Sequence, residues 1–166
     1  MSPNYAAKVK EEIDKLLQVG FIWPVKQATW VSPIVVVLKQ NDKIRVCVDY
    51  LKLNAETITN AFPLPFTDGV VDAVAGHEMY SFFDVFRGYN QIRMHPDDQE
   101  NTAFVTKWCV FVAVVMMFRV KTSPASFQQI ITEIFGEYIP GFMQVFLDDF
   151  AVYSRQQVLG TRPSMQ

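Results

Sequence analysis

The chain has 166 residues, half of them hydrophobic and 14 of them phenylalanine, so it can bury one sizeable core. Its formal net charge is -2, whereas a protein that binds nucleic acid strongly by itself carries an excess of basic residues. The longest strongly apolar run, residues 110–118, is far below the roughly 18 residues that a membrane-spanning helix requires, so we expect no membrane span. The amino terminus lacks the basic and apolar regions of a secretory signal, which predicts an intracellular location, cytoplasmic or nuclear.

The first half of the chain predicts a helix followed by a β-hairpin. Apolar residues recur with helical spacing from Pro3 until Gly20 stops the helix. Two β-rich runs, residues 34–38 and 44–48, are separated by a polar segment, which is a hairpin signal. A cationic group lies at and beside the hairpin tip, and either a solvated face or phosphate contact explains it: Lys39, Lys43, Arg45 and Lys52.

The second half predicts alternating strands and helices. Prolines within residues 61–66 predict an extended connection, which leads to a short helix over 68–75 and a strand over 79–85. A polar turn at 96–99 precedes two strand candidates, and Ser123-Pro124 begins a helix that ends at Gly136. The remaining strand candidates are residues 102–106, 110–116, 143–147 and 150–153. This order predicts an α+β fold, an antiparallel sheet with helices on one face, followed by a disordered tail over 156–166.

Three acids interrupt or end apolar runs. Asp148 and Asp149 stand side by side within a hydrophobic strand pair, where their mutual repulsion calls for cations or an exposed turn. An ordinary two-residue hairpin turn is the alternative, although such turns usually contain glycine. Asp84 ends an earlier apolar run, and the intervening chain is long enough to return one strand beside the other. Converging carboxylates would suit paired Mg²⁺ ions, and no histidine or cysteine cluster suggests zinc instead.

A series of short motifs resembles the fingers and palm of reverse transcriptases from gypsy-type long-terminal-repeat retrotransposons. The likeness spans about residues 11–153, and an ordered series of motifs is more specific than any one of them. The motifs are Val31-Ser32-Pro33, Arg45-Val46-Cys47-Val48-Asp49-Tyr50, Leu53-Asn54, Phe62-Pro63-Leu64-Pro65, Phe83-Asp84, Gly88-Tyr89-Asn90-Gln91-Ile92, Thr102-Ala103-Phe104, Ser123-Pro124-Ala125-Ser126-Phe127-Gln128 and Phe146-Leu147-Asp148-Asp149.

The resemblance implies one fingers and palm domain over residues 1–155, with a ferredoxin-like palm and a β-hairpin fingers subdomain. The fingers would lie mainly in 21–75 and 97–120, and the palm mainly in 76–96 and 121–155. We also expect the thumb, connection and RNase H parts of the polyprotein to be absent from this chain. The implied activity is RNA-directed DNA polymerisation on a primer-template of RNA and DNA, with deoxynucleoside triphosphates as substrates.

The same resemblance assigns roles to individual residues. The metal ligands for two Mg²⁺ ions, or Mn²⁺, would be Asp84, Asp148, Asp149 and the backbone carbonyl of Val85. The implied nucleotide-binding positions are Lys43, Arg45, Val85, Tyr89 and Phe118. Tyr89 would be a steric gate beneath the incoming sugar, or alternatively simple aromatic core, while Phe127 and Gln128 would be structural.

Four positions depart from the family pattern. Leu51 stands where arginine is usual, Met117 where proline is usual, and Cys109 and Arg119 where glycine is usual. If those glycines adopt positive φ, a side chain costs about 1–3 kcal/mol and obstructs the nucleotide site. Three hypotheses therefore stay open: an active polymerase fragment, a catalytically dead retroelement remnant, and a noncatalytic ferredoxin-like nucleic-acid-binding module. Nucleic-acid-binding modules of this kind carry aromatic and basic residues together on their central strands, and the sequence shows no such pattern.

Overall fold

The computed structural model describes residues 3–38, 44–75 and 77–154. They form two compact units, one made of residues 3–38, 44–59 and 89–123 and the other of residues 60–75, 77–88 and 124–154. No helix in these described ranges is long and apolar enough to cross a membrane. In chain order the elements are α1 (Pro3–Gln18), β1 (Ile22–Val25), β2 (Ser32–Leu38), β3 (Ile44–Val48), α2 (Leu51–Glu56), α3 (Thr67–Val74), β4 (Tyr80–Asp84), a 3-10 helix (Gly88–Gln91), α4 (Pro96–Gln99), a second 3-10 helix (Glu100–Thr102), β5 (Phe104–Val105), β6 (Val110–Ala113), α5 (Ser123–Ile134), β7 (Met143–Phe146) and β8 (Asp149–Tyr153).

The first unit is built on a five-stranded sheet in the order β1-β6-β5-β2-β3. Its pairs are antiparallel except for β2 and β5, which run parallel. The predicted first helix is confirmed as α1, and it ends before Gly20, whose φ of +74° suits glycine. The predicted hairpin is confirmed as β2 and β3, although its tip, residues 39–43, lies outside the described residues. The buried core of this unit includes Val9 and Phe104.

The segment before β5 differs from the prediction. Residues 96–99 form the short helix α4 rather than a turn, because Pro96 suits the first helical position and His95 Nδ1 accepts a hydrogen bond from the Asp97 amide. The predicted strand over 110–116 ends at Ala113, and single hydrogen bonds then join 92–94 to 114–116. Residues 89–96 belong to the first compact unit, and the predicted bounds of the palm stay a prediction.

The second unit is a three-stranded antiparallel sheet in the order β4-β8-β7, so β4 is at its edge. Helix α3 packs on this sheet through Val74, which contacts Ala151 and Tyr153. Residues 60–75 belong to this second unit, and the predicted bounds of the fingers stay a prediction. The predicted α+β class is confirmed, but the single antiparallel sheet was wrong: there are two sheets, and one contains a parallel pair.

Candidate active site

Strand register in the second unit places two of the three predicted carboxylates opposite each other. Strands β4 and β8 pair so that Asp84 is the direct partner of Asp149. Residues directly opposite in an antiparallel pair lie on one face of the sheet, with Cβ atoms about 4.5–5.5 Å apart. Asp148 immediately precedes Asp149 at the turn that joins β7 to β8. The three acids are therefore neighbours, as the sequence predicted.

A buried amide side chain holds the turn that carries Asp148. Gln128, on α5, is only 3% exposed. Its Oε1 accepts a hydrogen bond from the Leu147 amide at 2.8 Å, and its Nε2 donates to the Val145 carbonyl oxygen at 3.1 Å. Leu147 has a φ of +53°, an uncommon conformation for leucine. On the other side, the Val85 amide donates to the Asp148 carbonyl oxygen at 3.0 Å, so the turn is fixed from two directions.

The carboxylate of Asp148 is in an unfavourable place for a negative charge. Its Oδ1 is buried and has no hydrogen-bond partner among the described residues. Burial raises the pKa of Asp148, and the charges of Asp84 and Asp149 raise it further. Such a carboxylate gains from a nearby cation or from protonation.

Gly88 makes room for this carboxylate. A Cβ atom built on Gly88 would lie 2.7 Å from Asp148 Oδ1 and 2.9 Å from the ring of Phe127. Both distances are well inside van der Waals contact, so any side chain at position 88 would displace the carboxylate or the ring. Gly88 belongs to one of the family motifs, but the sequence predicted neither this contact nor the hydrogen bonds of Gln128 to the backbone of Val145 and Leu147.

The carboxylates match a divalent cation in kind, but they do not form a closed site. Across the described ranges, no three Asp, Glu, His or Cys side chains are grouped so that they could hold a metal ion. Asp84 and Asp149 are exposed, and Asp148 is partly buried. Carboxylate oxygens are nevertheless the ligands that Mg²⁺ prefers, and Asp148 Oδ1 lacks any competing partner in the described structure.

The predicted nucleotide-binding residues are divided between the two units. Val85 lies in the second unit, next to the carboxylates, whereas Arg45, Tyr89 and Phe118 lie in the first. Arg45 is exposed on β3, and Lys43 falls outside the described residues. Tyr89 is 9% exposed and meets the 61% exposed Phe118 edge to face, with ring centroids 6.0 Å apart. This packing suits aromatic core and leaves the steric-gate role of Tyr89 a prediction.

The departures from the family pattern differ in their structural consequences. Arg119 has a φ of +77°, so it occupies a conformation that favours glycine. Asn54 braces this position, donating to the Arg119 carbonyl oxygen at 2.8 Å and accepting from the Lys121 amide at 2.7 Å. Cys109 is not among the described non-glycine residues with positive φ, so the expected strain does not arise there. Leu51 is 74% exposed at the start of α2, and Met117 packs against the core of the first unit.

Comparison with protein families decides the identity of the chain. A family model described as reverse transcriptase (RNA-dependent DNA polymerase) matches residues 37–159, which is most of the chain. The chain belongs to the reverse transcriptase family. The predicted resemblance is therefore confirmed for this reverse transcriptase domain.

Curated relatives of this reverse transcriptase domain are polyproteins of transposons. The retrovirus-related Pol polyprotein from transposon opus of Drosophila melanogaster is 31% identical over 156 residues, covering 91% of this chain and 16% of that protein. The transposon Tf2-3 polyprotein of Schizosaccharomyces pombe is 29% identical over 157 residues, covering 95% of this chain and 12% of that protein. The chain thus spans a small fraction of the length of these relatives.

Solved structures similar to this reverse transcriptase domain confirm its fold. The prototype foamy virus protease-reverse transcriptase superposes with a TM-score of 0.81 at 21% identity, covering 94% of this chain and 21% of that one. The foamy viral protease-reverse transcriptase in complex with RNA/DNA hybrid also gives a TM-score of 0.81, at 22% identity and with the same coverage. At these identities the likeness establishes the α+β polymerase fold.

Proposed function

We propose that this chain carries the nucleotidyl-transfer site of an RNA-directed DNA polymerase from a gypsy-type retrotransposon, with Asp84, Asp148 and Asp149 as ligands of two Mg²⁺ ions. One observation carries the proposal: β4 and β8 pair so that Asp84 faces Asp149, beside the buried, unpartnered oxygen of Asp148. Grouped carboxylates repel one another, which destabilises the fold unless cations neutralise them. Metal binding gives this costly grouping a function.

The contribution of the protein is to hold these charges in place. Gln128 and the Val85 amide fix the backbone on both sides of Asp148, and Gly88 leaves space for its carboxylate. When bound, two divalent ions would activate the primer 3′ hydroxyl and neutralise charge on the leaving pyrophosphate. The carbonyl of Val85 is proposed as a further ligand, and Mn²⁺ could replace Mg²⁺.

The proposed substrates are a deoxynucleoside triphosphate and a primer-template of RNA and DNA. Arg45 is exposed and its planar guanidinium suits a triphosphate, with Lys43 in the same role. Phe118 offers an exposed ring, and Tyr89, fixed against it, would act as the gate beneath the sugar. Val85, adjacent to Asp84, would contribute backbone to the same nucleotide site.

The test is Mg²⁺-dependent extension of a DNA primer on an RNA template by the 166-residue chain. Asp148→Asn should reduce extension on the order of a hundredfold or more, since even outer-shell changes at metal sites cost 10–100-fold. Asp72→Asn is the matched control, because Asp72 is exposed on α3 and its substitution removes the same negative charge. Extension by Asp148→Asn at the rate of Asp72→Asn would refute the assignment.

A catalytically inactive descendant of a reverse transcriptase is the second candidate function. It is favoured by the positive φ of Arg119 and by the lack of a closed three-ligand group in the described structure. Mn²⁺ binding, followed by the electron paramagnetic resonance signal of free Mn²⁺, separates the two candidates. Binding that depends on Asp148 without any primer extension would identify the inactive form.

A further inference from the structure

Strand β4 leaves one edge of the second unit's sheet exposed. The sheet order is β4-β8-β7, and all five residues of β4 are exposed, whereas the other edge strand, β7, has no exposed residue. The middle of β4, Ser81-Phe82-Phe83, contains neither a charge nor a proline, the devices that usually protect an edge strand from pairing with another chain. This edge is therefore suited to accept a further β-strand.

The open backbone groups of β4 can be assigned from its pairing with β8. The Val85 amide donates to the Asp148 carbonyl oxygen at 3.0 Å, immediately beyond the last paired residues of the two strands. In an antiparallel pair alternate residues bond to the neighbouring strand, so every second residue counted back from Val85 bonds to β8. The residues between them, Tyr80, Phe82 and Asp84, direct their amide and carbonyl groups away from the sheet.

The side chains at this edge form an apolar surface. Four aromatic residues on and beside β4 are 56–80% exposed: Tyr80, Phe82, Phe83 and Phe86. At about 200 Å² for an aromatic side chain, their exposed parts supply on the order of 500 Å². Met79 is also exposed and adds to this surface. A stable interface buries about 800 Å² of each partner, so this edge supplies most of the area that a strand-to-strand contact needs.

The charges at the two ends of this segment are complementary to each other. Exposed Glu78 precedes β4, and exposed Arg87 follows it, with its guanidinium carbon 5.4 Å from the centre of the Phe86 ring. When two copies of β4 pair antiparallel with Phe82 opposite Phe82, Glu78 of one copy faces Phe86 of the other, and Arg87 lies beside that ring. Parallel pairing would instead bring like charges together, which is unfavourable.

We propose that β4 pairs with β4 of a second copy of this chain, antiparallel about a twofold axis at Phe82, to form a continuous six-stranded sheet. In this register Phe83 faces the small Ser81, and Asp84 faces Tyr80, so the acids of the two copies are not opposed. The two Phe82 rings lie side by side, which is a favourable pair across strands. Because β7 has no exposed residue, the contact closes after two copies.

Sedimentation equilibrium of the 166-residue chain tests the contact. The chain should form a dimer and nothing larger, with a dissociation constant on the order of 10 μM. Phe82→Lys sets two like charges directly opposite each other and should weaken the dimer at least about tenfold. Val71→Lys is the control, because Val71 is a similarly exposed apolar residue of the second unit, on α3, and it should leave the dimer unchanged. A monomer at every concentration, an open assembly, or equal weakening by both variants would overturn the proposal.

An exchange of the terminal charges tests the direction of pairing. Glu78→Arg and Arg87→Glu should each weaken the dimer by about threefold to tenfold, because each replaces two attractive contacts with repulsive ones. The double variant, Glu78→Arg with Arg87→Glu, should recover the affinity of the original chain. A double variant as weak as the single ones would show that the ends of β4 do not meet in this way.

Amide hydrogen exchange tests whether the strands pair through their backbones. Protection of the Tyr80 and Phe82 amides should increase with chain concentration, because these groups are bonded only in the dimer. Protection of the Ser81 amide, which already bonds to β8, should not change. If dimers form while Tyr80 and Phe82 exchange as they do in the monomer, β4 is not the contact.

Discussion

Substitution of Gln128 by methionine tests whether the acid turn depends on one side-chain amide. Methionine keeps the approximate volume of the buried side chain but removes its hydrogen bonds to the Leu147 amide and the Val145 carbonyl, and a longer one to Thr132 Oγ1. Each backbone group left without a partner costs about 1–3 kcal/mol when buried, and Leu147 is only partly buried. We therefore expect Gln128→Met to lower the free energy of unfolding by about 2–4 kcal/mol, a large part of the stability of a typical domain.

The assay is urea unfolding with linear extrapolation, combined with Mn²⁺ binding at a temperature where both proteins stay folded. Gln129→Met, one residue along the same helix, is the control, because it removes a bond to the exposed Glu133 and one from Asn60. The control should lose no more than about 1 kcal/mol. If Gln128→Met matches Gln129→Met in stability and in Mn²⁺ affinity, the turn does not depend on Gln128.

Three further predictions concern charge and backbone conformation. Burial and the neighbouring carboxylates raise the pKa of Asp148, so the folded chain binds a proton more tightly than the unfolded chain. The protonated Asp148 therefore stabilises the folded chain, and this stabilisation should be lost as the pH rises from the pKa of the unfolded chain toward the higher pKa of the folded chain. Urea unfolding measured across this pH range should show the loss in the original chain and not in Asp148→Asn. Gly88→Ala should lower the free energy of unfolding by about 1–3 kcal/mol, because the added Cβ would lie 2.7 Å from Asp148 Oδ1. Gly69→Ala is the control, because nothing lies within 4 Å of its added Cβ, and it should be neutral or stabilising. Equal shifts of the melting temperature in the two variants would contradict this prediction. Arg119→Gly should be more stable than Arg119→Ala by about 1 kcal/mol, because the φ of +77° at this position is unfavourable for any residue except glycine. Equal urea midpoints for the two variants would show that position 119 is not strained.

Local patterns in the sequence were sufficient for the elements whose stabilising contacts are local. Helix α1 follows from apolar spacing and Gly20, and α5 from Ser123-Pro124 and its apolar stripe. Helix α4 was wrongly predicted as a turn because four polar residues carry no apolar period, and its cap depends on the ring nitrogen of His95. The short strand β1 was missed because its pairing with β6 joins segments about ninety residues apart, a contact that no local window contains.

The candidate site shows the same division between local and distant information. The type of residue at Asp84, Asp148 and Asp149 was visible in the sequence, and the chain length allowed the strands to meet. The register that sets Asp84 against Asp149 was not visible, because a shift of one residue would have turned the side chains to opposite faces. The contact of Gly88 with Asp148 likewise depends on how two distant segments pack.

Both braced positions in this chain follow one pattern, a left-handed residue held by a side-chain amide. Gln128 bonds to the backbone around Leu147, and Asn54 bonds to the backbone around Arg119. A left-handed conformation costs a non-glycine residue about 1–2 kcal/mol, and two hydrogen bonds of about 0.5–1.5 kcal/mol each can offset that cost. Arginine in place of glycine at position 119 therefore need not unfold the first unit. If the chain is inactive, the cause at this position is the exposed Arg119 side chain beside Phe118 rather than a collapsed backbone, and Arg119→Ala should restore nucleotide binding as well as Arg119→Gly does.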